Sequence, residues 1–276
     1  MRPFTLIISI ITLLLLSSCG NNTSFQKNNG KETVLAMKQE VPESFVSEEL
    51  NVVAAGDSLT QGVGDSTGTG GYVPYLQKLF QQEQGIGTVT INNYGVKGNR
   101  TDQLLKKIKS AEVKQSISDA DMVILTIGGN DIMKVVRDHI SNLQLDDFTP
   151  QMKTFETNLY NVLREIRKDN QQAAIVLVGV YNPFTKWFAD VDEMNDIVTE
   201  WNRTGENILT LYDNTYFVPI EQIFSDTTEN LLYTDYFHPN DKGYQLIADE
   251  IYTKVKDTAI GEILATKRMN RENRGE

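Results

Sequence analysis

Residues 52–62 carry the sequence VVAAGDSLTQG, a short apolar run followed by a polar turn between two glycines. Such a run, ending at a glycine, is typical of a buried strand that leads into a tight turn. Ser58 lies in this turn, where a strand-to-helix geometry can expose its hydroxyl above a sheet and direct its N–H to the same pocket. The pattern favours nucleophilic catalysis, although Asp57 and Ser58 could also serve only as hydrogen-bonding residues of the turn.

Similar apolar runs recur along the chain and alternate with segments of helical periodicity. The candidate strands are residues 52–55, 89–93, 122–127, 175–180 and a weaker one at 217–220. Several of them are apolar on both faces, as buried parallel strands are. The intervening helical stripes are Tyr72, Leu76 and Leu79; Leu104, Leu105 and Ile108; Phe155, Leu159, Val162 and Ile166; and Tyr244, Ile247, Ile251 and Val255. This alternation predicts one doubly wound α/β domain, with a parallel sheet of about five strands between two helical layers.

The third candidate strand ends in a second glycine-rich turn, Gly128-Gly129-Asn130-Asp131. In doubly wound sheets function gathers at the carboxyl ends of the strands. The two glycines allow the backbone to approach a bound group closely, and the Asn130 amide is a neutral donor for a developing oxyanion. A purely structural turn, with Asn130 or Asp131 as a helix cap, would use the same residues.

The chain has two histidines, and they lie in different settings. His139 belongs to a predicted surface helix, whereas His238 lies in a short loop before the last amphipathic helix. Asp235 precedes His238 by three residues, so its carboxylate can hold the imidazole ring within one turn. The pair therefore suits the activation of Ser58, unless the loop is a structural turn with an incidental histidine.

Together these motifs resemble the four short blocks of the GDSL, or SGNH, hydrolases, from about residue 51 to residue 251. The segment Gly56-Asp57-Ser58-Leu59 resembles the first block, Asn93-Tyr94-Gly95-Val96-Lys97-Gly98 the second and Gly128-Gly129-Asn130-Asp131 the third, while Asp235 and His238 match the last. The resemblance implies a flavodoxin-like three-layer α/β/α fold.

The same resemblance assigns roles to individual residues. Ser58 is implied to be the nucleophile, and Asp235 and His238 its partners. The oxyanion would be bound by the backbone N–H groups of Ser58 and Gly98, with Gly95 as the less suitable glycine, and by the Asn130 side chain. We expect no cofactor and no metal, because no His, Cys and carboxylate cluster shows metal-ligand spacing.

The N-terminus has its own signature. Arg2 is followed by an apolar run over residues 4–16, which is shorter than the roughly 20 residues that a membrane-spanning helix needs. The run ends at Leu16-Ser17-Ser18-Cys19, which resembles the lipobox of bacterial lipoproteins. We therefore predict a signal peptide at residues 1–18, lipidation of Cys19 and a flexible tether over residues 19–49. The protein would be anchored outside the cytoplasmic membrane, unless the segment is a plain secretory signal.

The remaining composition narrows the partners and the boundaries. The chain carries 26 Lys and Arg against 37 Asp and Glu, a formal charge of −11, which argues against nucleic acid as a partner. Cys19 is the single cysteine, so no intramolecular disulfide can form. We place the hydrolase domain at residues 50–260 and a charged, frayed tail at residues 261–276. The oligomeric state is not predicted.

The substrate is predicted only as a class. We expect a carboxylesterase or lipase-like acylhydrolase acting on a lipid, carbohydrate or small-molecule ester. A carbohydrate O-deacetylase is the alternative enzyme, and a non-catalytic envelope-binding lipoprotein is the alternative of another class. Residues 181–188 carry four aromatic rings that would form a wall of the substrate pocket or cap the core, and the glycine-rich residues 62–71 could form a lip over the site.

Overall fold

The computed structural model describes residues 47–184, 192–225 and 227–275. The predicted signal peptide, the predicted lipidation site Cys19 and nearly all of the predicted tether lie outside the described residues. None of the described helices combines the length and the apolar character that crossing a bilayer requires.

A five-stranded parallel sheet forms the centre of the domain, in the order β2-β1-β3-β4-β5. The strands are β1 (Glu48–Gly56), β2 (Ile86–Gly95), β3 (Met122–Thr126), β4 (Ala174–Val178) and β5 (Thr215–Val218). Each predicted strand is therefore present, and the doubly wound α/β prediction is confirmed. Every side chain of β3 and β4 is buried, because helices cover both faces of the central strands.

Ten helices connect and flank the described strands. They are α1 (Ser58–Gln61), α2 (Tyr72–Gln81), α3 (Thr101–Ile108), α4 (Ala111–Ser118), α5 (Gly129–Asp138), α6 (Phe148–Asp169), α7 (Asp192–Leu209), α8 (Glu221–Ser225), α9 (Asp241–Val255) and α10 (Gly261–Arg274). The helices α3 to α7 pack on one face of the sheet, and α2, α8, α9 and α10 pack on the other. All four predicted apolar stripes face these two cores.

The strand order places the functional motifs side by side. From β1 the chain moves outward to β2, and it then returns across β1 to form β3. The carboxyl ends of β1 and β3 therefore border the crevice at which a doubly wound sheet reverses its direction of winding. Residues 56–58 follow β1 and residues 128–130 follow β3, so both glycine-rich turns open onto this crevice.

Both predicted ends of the domain differ from the structure. Strand β1 begins at Glu48, two residues before the predicted start of the domain. The predicted tail is also not frayed, because α10 packs Ile263 and Leu264 against the core. Lys267 of α10 lies 2.8 Å from Asp121, and Arg271 lies 2.8 Å from Glu48. The basic residues that made this segment resemble a solvated tail are thus paired with acidic residues near the amino ends of the strands.

Candidate active site

Ser58 is the first residue of α1 and directly follows the turn at the end of β1. Gly56 ends the strand with a φ of 156°, and a Cβ atom at this position would lie 2.2 Å from the carbonyl oxygen of Thr126 in β3. Only glycine allows so close an approach of the two strands. Asp57 caps α1 by accepting a hydrogen bond from the N–H of Leu59 at 3.0 Å. These constraints hold Ser58 at the crevice, with 4% of its surface exposed.

His238 lies opposite Ser58, although 180 positions separate them in the chain. Its Nε2 atom is 2.9 Å from Ser58 Oγ, and its Nδ1 atom is 2.6 Å from Asp235 Oδ2. Asp235 Oδ1 also accepts the backbone N–H groups of Phe237 and His238, each at 3.0 Å. Tyr236, at the centre of this turn, has a φ of 55°, which is uncommon for a residue other than glycine. The structure therefore brings Ser58, His238 and Asp235 together in one hydrogen-bonded line.

The charge of Asp235 follows from its contacts. Partial burial by itself would raise the pKa of this carboxyl group. The hydrogen bonds from the His238 ring and from the two backbone N–H groups outweigh burial and lower the pKa below its ordinary value. Asp235 is consequently an anion at neutral pH, and it can orient the ring and stabilise a positive charge on it.

Tyr181 anchors the loop of residues 235–238, here called the histidine loop, from the other side of the crevice. Its hydroxyl donates a hydrogen bond of 2.6 Å to the carbonyl oxygen of Phe237, the residue before His238. Its ring is stacked on Phe224, with the centroids 3.9 Å apart. Sequence reasoning assigned Tyr181 only to a pocket wall and missed this contact, because nothing in the local sequence indicates which carbonyl the hydroxyl reaches.

Asn130 lies in the first turn of α5 and lines the cavity beside Ser58. Its amide donates one hydrogen bond, of 3.1 Å, to the carbonyl oxygen of Asn99. An asparagine amide has two N–H bonds, so this contact fixes the orientation of the group and leaves a second donor available.

The two glycines considered for the oxyanion differ in the structure. The N–H of Gly95 donates to the Asn93 side chain at 2.9 Å and is therefore already engaged. Gly98 has a φ of 81° and is exposed, and its N–H donates no hydrogen bond to any residue that the structure describes. The geometry thus favours Gly98 over Gly95 as a donor to a bound group.

A buried polar chain lies beneath the nucleophile. The Asp57 carboxylate accepts a hydrogen bond from the Thr126 hydroxyl at 3.0 Å, and that hydroxyl is 2.7 Å from the hydroxyl of Thr60. Thr60 in turn lies 3.1 Å from the hydroxyl of Tyr72. Burial raises the pKa of Asp57 to about 7, since its hydrogen bonds offset the loss of hydration only in part and the negative charge of Asp131 raises it further. Apart from Asp57 itself, sequence analysis gave no indication of this chain.

Asp131 does not line the cavity, and its hydrogen bonds connect three helices. It is fully buried, and its carboxylate accepts hydrogen bonds from the N–H of Thr101 at 3.0 Å and from the Thr101 hydroxyl at 2.7 Å. Gln151 adds a third hydrogen bond at 3.1 Å. Asp131 therefore links the start of α5 to the start of α3 and to α6, which supports the position of the neighbouring Asn130.

The cavity beside Ser58 has a volume of about 40 Å³. Its lining residues are Asp57, Ser58, Leu59, Ile127, Gly129, Asn130, Gly179, Val180, Tyr181, Pro183, Phe237 and His238. Among the described residues that line it, Asp57 is the only acidic residue, and none is a lysine or an arginine. A larger groove of about 690 Å³ runs between α6 and α7, but neither Ser58 nor His238 lines it.

The aromatic segment contributes to the cavity only in part. Tyr181 lines the cavity, whereas Phe184 packs against the core on the α3–α7 face. Trp187 and Phe188 lie outside the described residues. Of the aromatic residues of this segment that the structure describes, Tyr181 lines the cavity and Phe184 does not.

The glycine-rich residues 62–71 are held by specific contacts. One carboxylate, that of Asp65, accepts hydrogen bonds from four backbone N–H groups, those of Thr67, Thr69, Gly70 and Gly71. The neighbouring Ser66 hydrogen-bonds to Asp241 in the first turn of α9. A Cβ atom on Gly64 would lie 2.5 Å from the carbonyl oxygen of Pro239, so the loop packs directly against the histidine loop.

No three His, Cys, Asp or Glu side chains are grouped so that they could hold a metal ion within residues 47–184, 192–225 and 227–275. The described site therefore groups a serine hydroxyl, an imidazole held by a carboxylate, and hydrogen-bond donors. These are the groups that acyl transfer through a covalent intermediate requires.

Comparison with known protein families gives a match over most of the domain. The model of the GDSL-like Lipase/Acylhydrolase family matches residues 54–246. The uncharacterized protein YpmR of Bacillus subtilis is 37% identical over 258 residues, which cover 93% of this chain and 96% of that protein. The spore germination lipase LipC of Bacillus licheniformis is 20% identical over 206 residues, or 73% of this chain and 94% of LipC.

Solved structures show the same fold. The lipase Lip_vut3 from a goat rumen metagenome matches with a TM-score of 0.68 at 20% identity, covering 75% of this chain and 97% of the lipase. The acetylxylan esterase Axe2 of Geobacillus stearothermophilus matches with a TM-score of 0.56 at 21% identity, covering 76% of this chain and 94% of Axe2. At these identities the similarity concerns the arrangement of the sheet and helices.

Proposed function

The chain belongs to the GDSL-like lipase/acylhydrolase family, and from this premise we propose that it is a serine-dependent ester hydrolase that works through an acyl-enzyme. The observation that carries the proposal is the continuous line from Ser58 Oγ through the His238 ring to the Asp235 carboxylate, with distances of 2.9 and 2.6 Å. A hydroxyl is a weak nucleophile at neutral pH, so it needs an adjacent base in this geometry.

The first half of the reaction forms the acyl-enzyme. Ser58 Oγ attacks the ester carbonyl carbon while His238 Nε2 accepts its proton, and the carbonyl oxygen becomes an oxyanion. The anionic Asp235 stabilises the positive charge that this transfer places on the ring. When the oxyanion collapses, the bond to the alcohol breaks, and His238 returns its proton to the leaving alkoxide.

The oxyanion needs donors that are already oriented before the reaction. The second N–H of the Asn130 amide, the N–H of Ser58 and the free N–H of Gly98 are available for this purpose. Because the contact with the Asn99 carbonyl holds the Asn130 amide in place, little reorganisation is needed as the charge develops.

The second half of the reaction releases the acid. A water molecule loses a proton to His238 and attacks the acyl carbon, and the second oxyanion uses the same donors. Collapse of this intermediate breaks the bond to Ser58 Oγ, which recovers its proton from His238. The cycle needs water as its only co-reactant.

We also propose that the domain acts outside the cytoplasmic membrane, held by lipid on Cys19. The lipobox-like sequence at residues 16–19 and the preceding apolar run support this location. The cysteine of a lipobox receives a diacylglyceryl group, which has two acyl chains. Two chains suffice for stable anchoring in a membrane, whereas one would be marginal. Cells that express Cys19→Ala should release the protein from the membrane fraction and incorporate no labelled palmitate into it, and unchanged membrane retention and labelling would contradict the proposal.

The central experiment measures turnover of p-nitrophenyl esters by the full-length protein and by Ser58→Ala. We expect the variant to lose activity and to lose covalent labelling by a fluorophosphonate. Ser118→Ala is the matched control, because Ser118 ends α4 just before the amino end of β3, whereas Ser58 follows the carboxyl end of β1. Normal turnover by Ser58→Ala would exclude the mechanism.

The same series tests the alternatives. Turnover confined to acetyl esters of sugars would identify a carbohydrate O-deacetylase, a candidate that the small volume of the cavity favours. A folded protein that neither turns over any ester nor reacts with the fluorophosphonate would instead be an envelope-binding lipoprotein.

A further inference from the structure

The cavity beside Ser58 is closed at its inner end by two aliphatic side chains. Ile127 follows β3 and Val180 follows β4, and they are only 3% and 8% exposed. Both side chains line the cavity that Ser58 and His238 also line. Since both residues lie within two positions of the ends of neighbouring central strands, this wall is anchored to the centre of the sheet.

A second void lies directly behind this wall. It has a volume of about 10 Å³, and Ile127 and Val180 line it together with Phe155, Trp201 and Phe217. The same two aliphatic side chains thus separate the catalytic cavity from unfilled space in the core. A shorter side chain at either position would connect the catalytic cavity with the second void. The result would be one longer cavity.

The volume of the cavity limits what it can hold. One water-sized group needs roughly 10–15 Å³ of cavity volume. A cavity of about 40 Å³ therefore has room for about three such groups, and most of a fatty-acyl chain would have to lie outside it.

We propose that this cavity binds the acyl group of the ester and that Ile127 and Val180 restrict it to short, uncharged acyl groups of up to about four carbons. This inference rests on the proposed ester hydrolase function and names the acyl side of its substrate.

The chemistry of the lining supports the acyl group as the occupant. Pro183 and Phe237 continue the apolar wall that Ile127 and Val180 begin. Asn130 is the amide donor in the lining, so an ester whose carbonyl oxygen is bound there would direct its alkyl chain along the apolar surface. A sugar or glycerol hydroxyl would find few hydrogen-bonding partners on that surface.

The charge of the site also selects against one class of acyl group. Asp57 is the acidic residue among the described lining residues, and none of them is a lysine or an arginine. A dicarboxylic half-ester, such as a succinyl ester, would bring a second carboxylate into this space, where the described lining residues offer it no lysine or arginine as a partner. Its binding would therefore be opposed by desolvation and by repulsion from the ionised fraction of Asp57.

The test compares acyl chain lengths in the full-length protein and in variants of the wall. For p-nitrophenyl esters from acetate to palmitate, we expect kcat/KM to fall about 10-fold or more between butyrate and octanoate. Val180→Ala should raise the ratio of octanoate to acetate turnover by about 10-fold or more, and Val180→Leu should lower butyrate turnover more than acetate turnover.

Val176→Ala is the matched control. The substitution is the same as at Val180 and lies four positions earlier. Val176, however, is buried in the core on the α2, α8, α9 and α10 face of the sheet, and it lines neither void. It should lower the thermal stability without changing the chain-length profile. If Val180→Ala does not fold, Ile127→Ala and Val180→Leu test the same wall.

Two outcomes would overturn the inference. One is a wild-type profile that stays level or rises toward palmitate. The other is a shift in Val180→Ala for a series of acetates with alcohols of increasing length, with no shift for the acyl series, since the cavity would then hold the alcohol. Fluorophosphonate labelling of Ser58 separates these results from a failure of the proposed function, in which neither labelling nor turnover would occur.

Discussion

Removing the Tyr181 hydroxyl tests whether the far side of the crevice positions His238, the proposed base. The substitution Tyr181→Phe deletes the hydrogen bond of 2.6 Å to the Phe237 carbonyl and keeps the ring that is stacked on Phe224. Burial raises the pKa of Tyr181 well above its ordinary value, so the hydroxyl is a donor at every pH at which the enzyme would be assayed. The change therefore removes one donor and little else.

The magnitude follows from the group that is left behind. The Phe237 carbonyl accepts no other hydrogen bond from the described residues, and the bond is partly buried, so its loss costs about 0.5–1.5 kcal/mol. We expect the free energy of unfolding to fall by about this amount. Because His238 is the next residue, its ring would also lose part of its alignment with Ser58, and we expect kcat to fall about 10-fold or more while KM changes about two-fold at most.

The assay combines urea unfolding with steady-state kinetics on a short-chain p-nitrophenyl ester. Tyr212→Phe is the control. Tyr212 lies in the connection between α7 and β5, and its hydroxyl also donates to a backbone carbonyl, that of Tyr160 in α6. It should cost some stability and leave kcat unchanged. If Tyr181→Phe loses stability but keeps the wild-type kcat, the hydroxyl supports the fold alone, and the reasoning is refuted.

Three further predictions concern single side chains of the site and its loops. Asn130→Ala should lower kcat on the order of 10²–10³-fold, as expected for one lost oxyanion donor, and an unchanged kcat would remove Asn130 from that role. Asp57 has its pKa raised from 3.8 to about 7, so the folded state favours the protonated form; the stabilisation is full below pH 3.8 and is lost as the pH rises through 7, an effect of about 4 kcal/mol. Asp57→Asn should flatten this decline in urea unfolding between pH 4 and pH 8, and parallel curves for the two proteins would contradict the assignment. Asp65 has its pKa lowered to about 2: partial burial opposes this shift, but hydrogen bonds from Thr67 and the glycine N–H groups outweigh it. Its stabilisation is present above pH 3.8 and lost as the pH falls through 2, so Asp65→Asn should cost about 1 kcal/mol at pH 7, after allowance for solvent screening, and only a small part of that at pH 2.

The sequence was sufficient for the architecture because the signals for it are local. Strands such as residues 122–127 are continuous apolar runs of β-branched and aliphatic residues, and the helix at Asp241–Val255 has an apolar stripe at regular spacing. Such patterns depend on neighbours within a few positions, so they can be interpreted without knowledge of the rest of the fold. The segment that forms α10 shows the limit, because its charges indicate a solvated tail until Asp121 and Glu48 are brought next to it.

The candidate site was predictable for a related reason. Ser58, Asn130 and the pair Asp235 and His238 follow recognisable elements, and parallel strands bring their carboxyl ends to one edge of the sheet. The residues that sequence reasoning missed, such as Thr126 and Asn99, act through backbone or hydroxyl groups that any sequence contains in many places. Their importance depends on a partner 31 or 69 positions away.

The sequence by itself therefore determined the order of strands and helices, the turns that carry the proposed catalytic groups and the family to which the chain belongs. The tertiary structure alone decided which carbonyl the Tyr181 hydroxyl reaches, that Asp57 is buried with no cation beside it among the described residues, and that Ile127 and Val180 both line the cavity beside Ser58. The physical reason is that strand and turn propensities arise from neighbouring residues, whereas hydrogen-bond partners, desolvation and cavity shape arise from groups that only packing brings within a few ångströms.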